Sequence, residues 1–205
     1  MRKVLGIFLA IMLLLSWNVA DAAERQPVRI AQVPLIVSSG CWQVPGQPVQ
    51  DDLERQIDRA LHVPLNGVLN AVTYLPEDDS EKAMDDAYAA LGERARLKDV
   101  VRHMGEQMNA DLVVVPVLTS YEQFVRHSWH WDRGLILHSY AALSLGVYDR
   151  RTDEAFVKQA SRLYEDDYST AGSVENLARE CTDEVVREAD LRGRLAEARD
   201  AGAGK

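Results

Sequence analysis

Apolar and polar positions follow several rhythms along the chain. Val4–Trp17 is an unbroken apolar run placed directly after Arg2 and Lys3. Val28–Ser38 (VRIAQVPLIVS) is rich in β-branched residues and predicts a strand, with a local irregularity at Pro34. Gly40, Pro45, Gly46 and Pro48 mark Ser39–Pro48 as a loop. The rhythm then turns helical. Asp51 or Asp52 can cap a helix whose Leu53, Ile57, Ala60 and Leu61 share one face, and Pro64 disfavours its continuation. Leu65–Asn70 fits neither period. Val72–Leu75 predicts a short strand before the acidic turn Pro76–Asp79. Ser80 opens a second helix through Ala83, Ala87 and Leu91, ending near Gly92. Leu97, Val100, Val101, Met104 and Met108 line one face of a third, over Arg96–Asn109.

The strongest strand follows. Leu112–Leu118 (LVVVPVL) is continuously apolar, as suits a central strand covered on both faces. Pro116 cannot donate to a ladder, so a bulge or a missing bond is expected there. Tyr121–Trp131 continues as a more polar, alternating strand. Asp132-Arg133-Gly134 is a turn, and Leu135–Tyr148 runs back. On this return strand Tyr140, Ala142, Ser144, Gly146 and Tyr148 share one face, and Leu143, Leu145 and Val147 the other. Asp149–Asp153 makes the next turn, and Glu154–Tyr164 completes an antiparallel meander. After Gly172-Ser173, a stripe of Val174, Leu177, Ala178, Cys181, Val185, Ala189 and Leu195 predicts a last helix. The expected fold class is therefore α/β (α+β): a mixed sheet with a C-terminal antiparallel meander and helices packed on at least one face.

The N-terminal rhythm has a different meaning. A basic start, a short apolar core and the small-x-small triplet Ala20-Asp21-Ala22 form the pattern of a secretory signal peptide. The apolar run, about 14 residues, falls short of the 18–20 that cross a bilayer. Cleavage after Ala22 or Ala23 is expected, with an uncleaved N-terminal tether as the alternative. The expected organisation is a signal over residues 1–22, one α/β envelope domain over 23–199, and a disordered tail over 200–205. Localisation is thus read as exported, periplasmic or secreted.

The chain has 205 residues and a formal charge of −9. An acidic chain lacks the basic field that nucleic-acid backbones require. It is also a poor candidate for an anionic membrane surface. No nucleic-acid partner and no stable membrane insertion after signal cleavage are expected.

Two motifs carry a family resemblance. One is Asn109-Ala110-Asp111-Leu112-Val113-Val114-Val115, a helix end leading into an apolar strand. The other is Leu143–Ala155 (LSLGVYDRRTDEA), a strand that ends at an Asp, turns through Thr152-Asp153 and returns. With the order of elements, they resemble a group of bacterial envelope domains over roughly Val28–Arg187. The group includes the TolB amino-terminal domain, the CsgG periplasmic domain and LpoB-type activators of peptidoglycan synthases. The resemblance implies a binding, secretion or assembly module and no catalyst. The chain departs from several members by lacking a lipoprotein-type Cys after its apolar core; the first is Cys41.

The densest group of reactive side chains is His127, Trp129, His130, Trp131 and Asp132, with His138 across the turn. Imidazole and carboxylate suit a transition metal. In an extended strand, however, His127 and His130 point to opposite faces, whereas His130 and Asp132 share one that His138 could approach. The bland reading is a hairpin tip with polar and aromatic side chains. Trp129 and Trp131 fall on one face with His127 and form a candidate partner anchor, because Trp and Tyr dominate interface hot spots; alternatively both indoles cover the sheet. Cys41 and Cys181 permit a disulfide in an exported protein; otherwise they are small buried apolar residues. The acidic groups 77–79, 85–86 and 165–167 lack the spacing of a calcium loop. No catalytic residue and no cofactor is assigned. The expected function is a non-catalytic cell-envelope protein that binds another envelope protein or assists assembly, with homo-oligomerisation an open alternative. The competing reading is an exported metal-dependent hydrolase using the His127–His138 hairpin.

Overall fold

The computed structural model describes residues 26–128, 134–167 and 169–202. Six strands form one mixed sheet: β1 Val28–Gln32, β2 Ile36–Val37, β3 Val72–Tyr74, β4 Leu112–His127, β5 Leu135–Asp149 and β6 Glu154–Asp167. Their order is β3-β1-β4-β5-β6, with β2 beside β4 past the end of β1. β3, β1, β2 and β4 are parallel, and β4-β5-β6 is the expected antiparallel meander. The helices are α1 Gln47–Leu61, α2 Asn66–Leu69, α3 Glu77–Leu91, α4 Leu97–Met108, α5 Val174–Ala189 and α6 Leu191–Gly202, with a 3-10 turn at Thr170–Gly172 before α5.

Crossover handedness places the helices. The chain passes from β1 to β3 in one direction across the sheet, then from β3 back over β1 to β4 in the other. A common right-handed sense puts the two connections on opposite faces. One core accordingly joins α1, α5 and α6 to Ile30, Val114, Leu143, Leu145 and Val147. The other joins α3 and α4 to Ala31, Val113, Val115 and Tyr148. The α4 contact is close because two glycines permit it. A Cβ on Gly105 would lie 2.2 Å from the Tyr148 ring, and one on Gly146 would lie 2.8 Å from Leu97.

Several expected features shift. The first helix starts earlier than the Asp51/Asp52 cap suggests, since Pro48 occupies its first turn, where a missing N–H costs nothing. α3 also starts early, at Glu77, so its acidic triplet meets the positive helix end. Pro116 keeps its register opposite Leu145; the irregularity lies between Leu118 and Ser120. The Val114 and Leu118 carbonyls both accept from the β1–β2 side, so the amide edge of Pro116 faces the break around Pro34. No ladder bond is lost there. The predicted last helix is two helices, parted at Asp190 in the left-handed region (φ 47°), and the second continues to Gly202 instead of fraying near residue 200.

α6 is fixed by a buried carboxylate. Asp149, 2% exposed, accepts from Arg194 at 3.2 Å and from the Arg151 N–H at 3.0 Å. Arg194 also meets Glu154 at 3.0 Å and lies over the Phe156 ring, 4.4 Å from its centroid.

Two side-chain carboxamides close sheet edges by imitating a peptide group. Asn66 both accepts from the Val72 N–H and donates to its carbonyl, each at 2.8 Å. Gln43 does the same for Gln123, at 3.2 and 2.9 Å.

Candidate functional site

β4, β5 and β6 contain 16, 15 and 14 residues. At about 3.3 Å per residue β4 is roughly 50 Å long. α4 has 12 residues and extends only about 18 Å. It therefore covers the inner half of the meander, and the same sheet face continues beyond it without a helix among the described residues.

The irregularity at Thr119, whose hydroxyl donates to the Ala142 carbonyl at 3.1 Å, decides which side chains occupy that bare face. Past it, residues 120, 122, 124 and 126 stand on the α4 side, opposite 142, 140, 138 and 136 of β5. Phe124 stacks on His138 with ring centroids 4.5 Å apart. Glu165, paired with His138 across β5–β6, lies 3.8 Å from its Nδ1 and is also bonded by Arg126. Tyr140 and Leu163 are the next cross-strand pair. Phe124 on β4 is 47% and Leu163 on β6 is 60% exposed.

The opposite face of this outer half is closed. The Gln123 side-chain oxygen accepts from the Val174 N–H at 2.8 Å and from the buried Ser139 hydroxyl at 3.3 Å, tying the start of α5 to the meander. At the β4 edge, Gln43 bonds Gln123 and the Tyr121 carbonyl. The neighbouring Trp42 is held out to solvent, 87% exposed.

The sequence-derived candidates separate on this frame. His127 is exposed at the end of β4, opposite Leu135, on the face away from His138. The His138 ring is engaged by Phe124 and Glu165. Trp129, His130, Trp131 and Asp132 lie outside the described residues. Among the described residues no three His, Cys, Asp or Glu side chains converge as metal ligands. The Ser128 N–H donates to the Gly134 carbonyl, which closes the expected hairpin.

The possible Cys41–Cys181 disulfide is not formed in the structure, where both cysteines are free thiols. Cys41 donates to the Leu118 carbonyl and Cys181 to the Ala141 carbonyl, so each is anchored to its own strand. Burial pushes the Cys41 thiol up, against a backbone hydrogen bond at Ser38 that lowers it. Burial pushes Cys181 up to about 11. Both shifts disfavour the thiolate, the nucleophilic form.

Trp42, Phe124 and Leu163 were not singled out as surface residues by sequence reasoning. An apolar residue in an alternating strand is expected inside, and the short length of α4 leaves Phe124 and Leu163 outside. Exposure of Trp42 had one available signal, its place in a Gly/Pro-rich loop.

No protein-family profile matches the chain, and no curated relative matches it. Among solved structures, the hypothetical protein CT253 from Chlamydia trachomatis is 13% identical with a TM-score of 0.48, covering 84% of this chain and 99% of that one. Lipoprotein GNA1162 from Neisseria meningitidis is 14% identical with a TM-score of 0.35, covering 78% and 99%. The LpoB C-terminal domain from Salmonella enterica is 9% identical with a TM-score of 0.32, covering 71% and 90%. LpoB belongs to the group that the sequence motifs resemble. The TolB and CsgG parts of that resemblance find no support in these neighbours.

Proposed function

We propose that this is an exported, non-catalytic cell-envelope protein that binds another protein, using the outer half of the meander. One observation carries the reading: Phe124 and Leu163 are displayed on a sheet face that no helix among the described residues covers. Rigid aromatic and aliphatic side chains lose little conformational freedom on contact, which favours them as anchors. Trp42 extends the display around the β4 edge. The N-terminal pattern supports the compartment, and the raised thiols favour structural cysteines.

A photo-crosslinking amino acid placed at Phe124 or Leu163 tests this in the envelope of the exporting cell. Discrete protein adducts are expected at both positions and none at Glu81, an exposed position on α3. A folded, exported protein that gives no adduct at either meander position contradicts the reading. The metal-dependent hydrolase has no specific observation in its favour: His138 is engaged elsewhere, and His130 and Asp132 lie outside the described residues.

A further inference from the structure

The opposite end of the molecule, where β1 and β3 begin, displays a second apolar group. α1 ends at Leu61, and Pro64 directs the chain into the short α2. Leu65 is held left-handed there, at φ 60° and ψ 21°, a conformation costing a non-glycine residue on the order of 1 kcal/mol. The outcome is exposure: Leu65 is 72%, Val68 83% and Leu69 58% accessible. Asn66, between them, is pinned to Val72 by the two carboxamide bonds, so the group is presented in a fixed position.

Two further observations lie at the same end. A groove of about 360 Å³ between α1, α5 and the start of α6 is lined by Arg59, Arg187 and Arg192. Arg192 donates to the Arg59 carbonyl at 3.4 Å, joining α6 to the last turn of α1. None of these three guanidiniums forms a salt bridge among the described residues, whereas Arg55, Arg96, Arg102, Arg151, Arg162, Arg179 and Arg194 all do. Two carboxylates share the lining, Asp190 accepting from the Gly193 N–H and Asp183 beside the Gln56 carboxamide, so three guanidiniums against two carboxylates leave the groove net positive. The chain also enters the fold here, since the Val28 N–H bonds the Ala71 carbonyl just after α2.

We propose that this end rests on an anionic lipid surface, with Leu65, Val68 and Leu69 entering the interface and Arg59, Arg187 and Arg192 meeting lipid phosphates. Exposed aliphatic side chains at the same end as cations that form no salt bridge among the described residues suit the boundary between acyl chains and headgroups. The overall charge of −9 does not oppose this arrangement, because charges more than about 10 Å away are largely screened at physiological salt. The contact leaves the outer meander, at the other end of the long strands, free for a protein partner.

The exported protein as recovered from the envelope is the material for the test. An environment-sensitive fluorescent amino acid is placed at Val68, or at Leu163 as the control. Vesicles of phosphatidylcholine, with or without phosphatidylglycerol, carry doxyl-labelled lipid as quencher. Quenching at position 68 and none at 163 is expected, stronger with phosphatidylglycerol. Each of Arg59→Gln, Arg187→Gln and Arg192→Gln should weaken partitioning about fivefold. Val68→Asp combined with Leu69→Asp should abolish it; both sites are exposed, so folding should survive. No quenching at 68, equal quenching at 68 and 163, or partitioning indifferent to these substitutions overturns the proposal. Such a result leaves the crosslinking test at Phe124 and Leu163 unaffected.

Discussion

The inner and outer halves of the β4–β5–β6 meander are built from the same three strands yet have opposite relations to solvent. In the inner half Val113, Val115, Leu145 and Val147 are fully buried between helices on both faces. In the outer half one face is closed by α5 and the other carries Phe124, His138, Tyr140 and Leu163 with no helix among the described residues above them. The difference comes from helix length and from the irregularity at Thr119, and the strand sequences do not show it. An apolar residue in a strand is therefore evidence of a face, and the covering element decides whether that face is core or contact surface.

Substitutions can break this contrast. The largest effect should come from Arg194→Ala, which leaves the buried Asp149 short of its main cation and frees α6; a loss of about 3 kcal/mol in urea unfolding is expected. Gly105→Ala forces a methyl group into the Tyr148 ring and should cost about 1–3 kcal/mol by the same measurement. Phe124→Ala and Leu163→Ala should each cost under about 1 kcal/mol while weakening envelope adducts formed at a neighbouring labelled site. Losses as large as those of the inner half would mean that the outer face is covered after all.

A further effect is in alkaline pH. The Cys181 pKa is raised in the folded state to about 11, above its ordinary value near 8.5. A raised folded pKa gives stability that is complete below the unfolded value and declines as pH rises toward the folded one. The urea midpoint should fall from about pH 8.5 upward, and Cys181→Ala should flatten that fall. An identical slope in the variant would show that this thiol is not held neutral by burial.

Much of the fold was legible because buried periodicity is local. LVVVPVL marked the central strand, the stripe from Leu97 to Met108 marked α4, and the two-sided pattern of Leu135–Tyr148 assigned its faces as they are. Most of what was missed depends on tertiary context. The exception is the last helix: its stripe skips from Ala189 to Leu195, a spacing of six that one helical face does not hold, and that gap was the mark of the left-handed break at Asp190. The shift at Thr119 exchanges the faces of every later β4 residue, and nothing in the local sequence announces it. Of the candidate site, the hairpin and the position of His138 were readable. Its stacking on Phe124 required the register, and the bare face required knowing where α4 stops.

The carboxamides of Asn66 and Gln43 have a consequence for solution behaviour. Each edge is closed by a neutral donor of the right shape instead of by bulk or charge. Replacing the terminal nitrogen with oxygen, as in Asn66→Asp or Gln43→Glu, leaves the volume almost unchanged but sets a carboxylate against the backbone carbonyl it formerly satisfied. The side chain then turns away, and the N–H and C=O of Val72 or Gln123 become available to a strand from another molecule. Resistance to self-association at these two edges thus depends on a single atom in each.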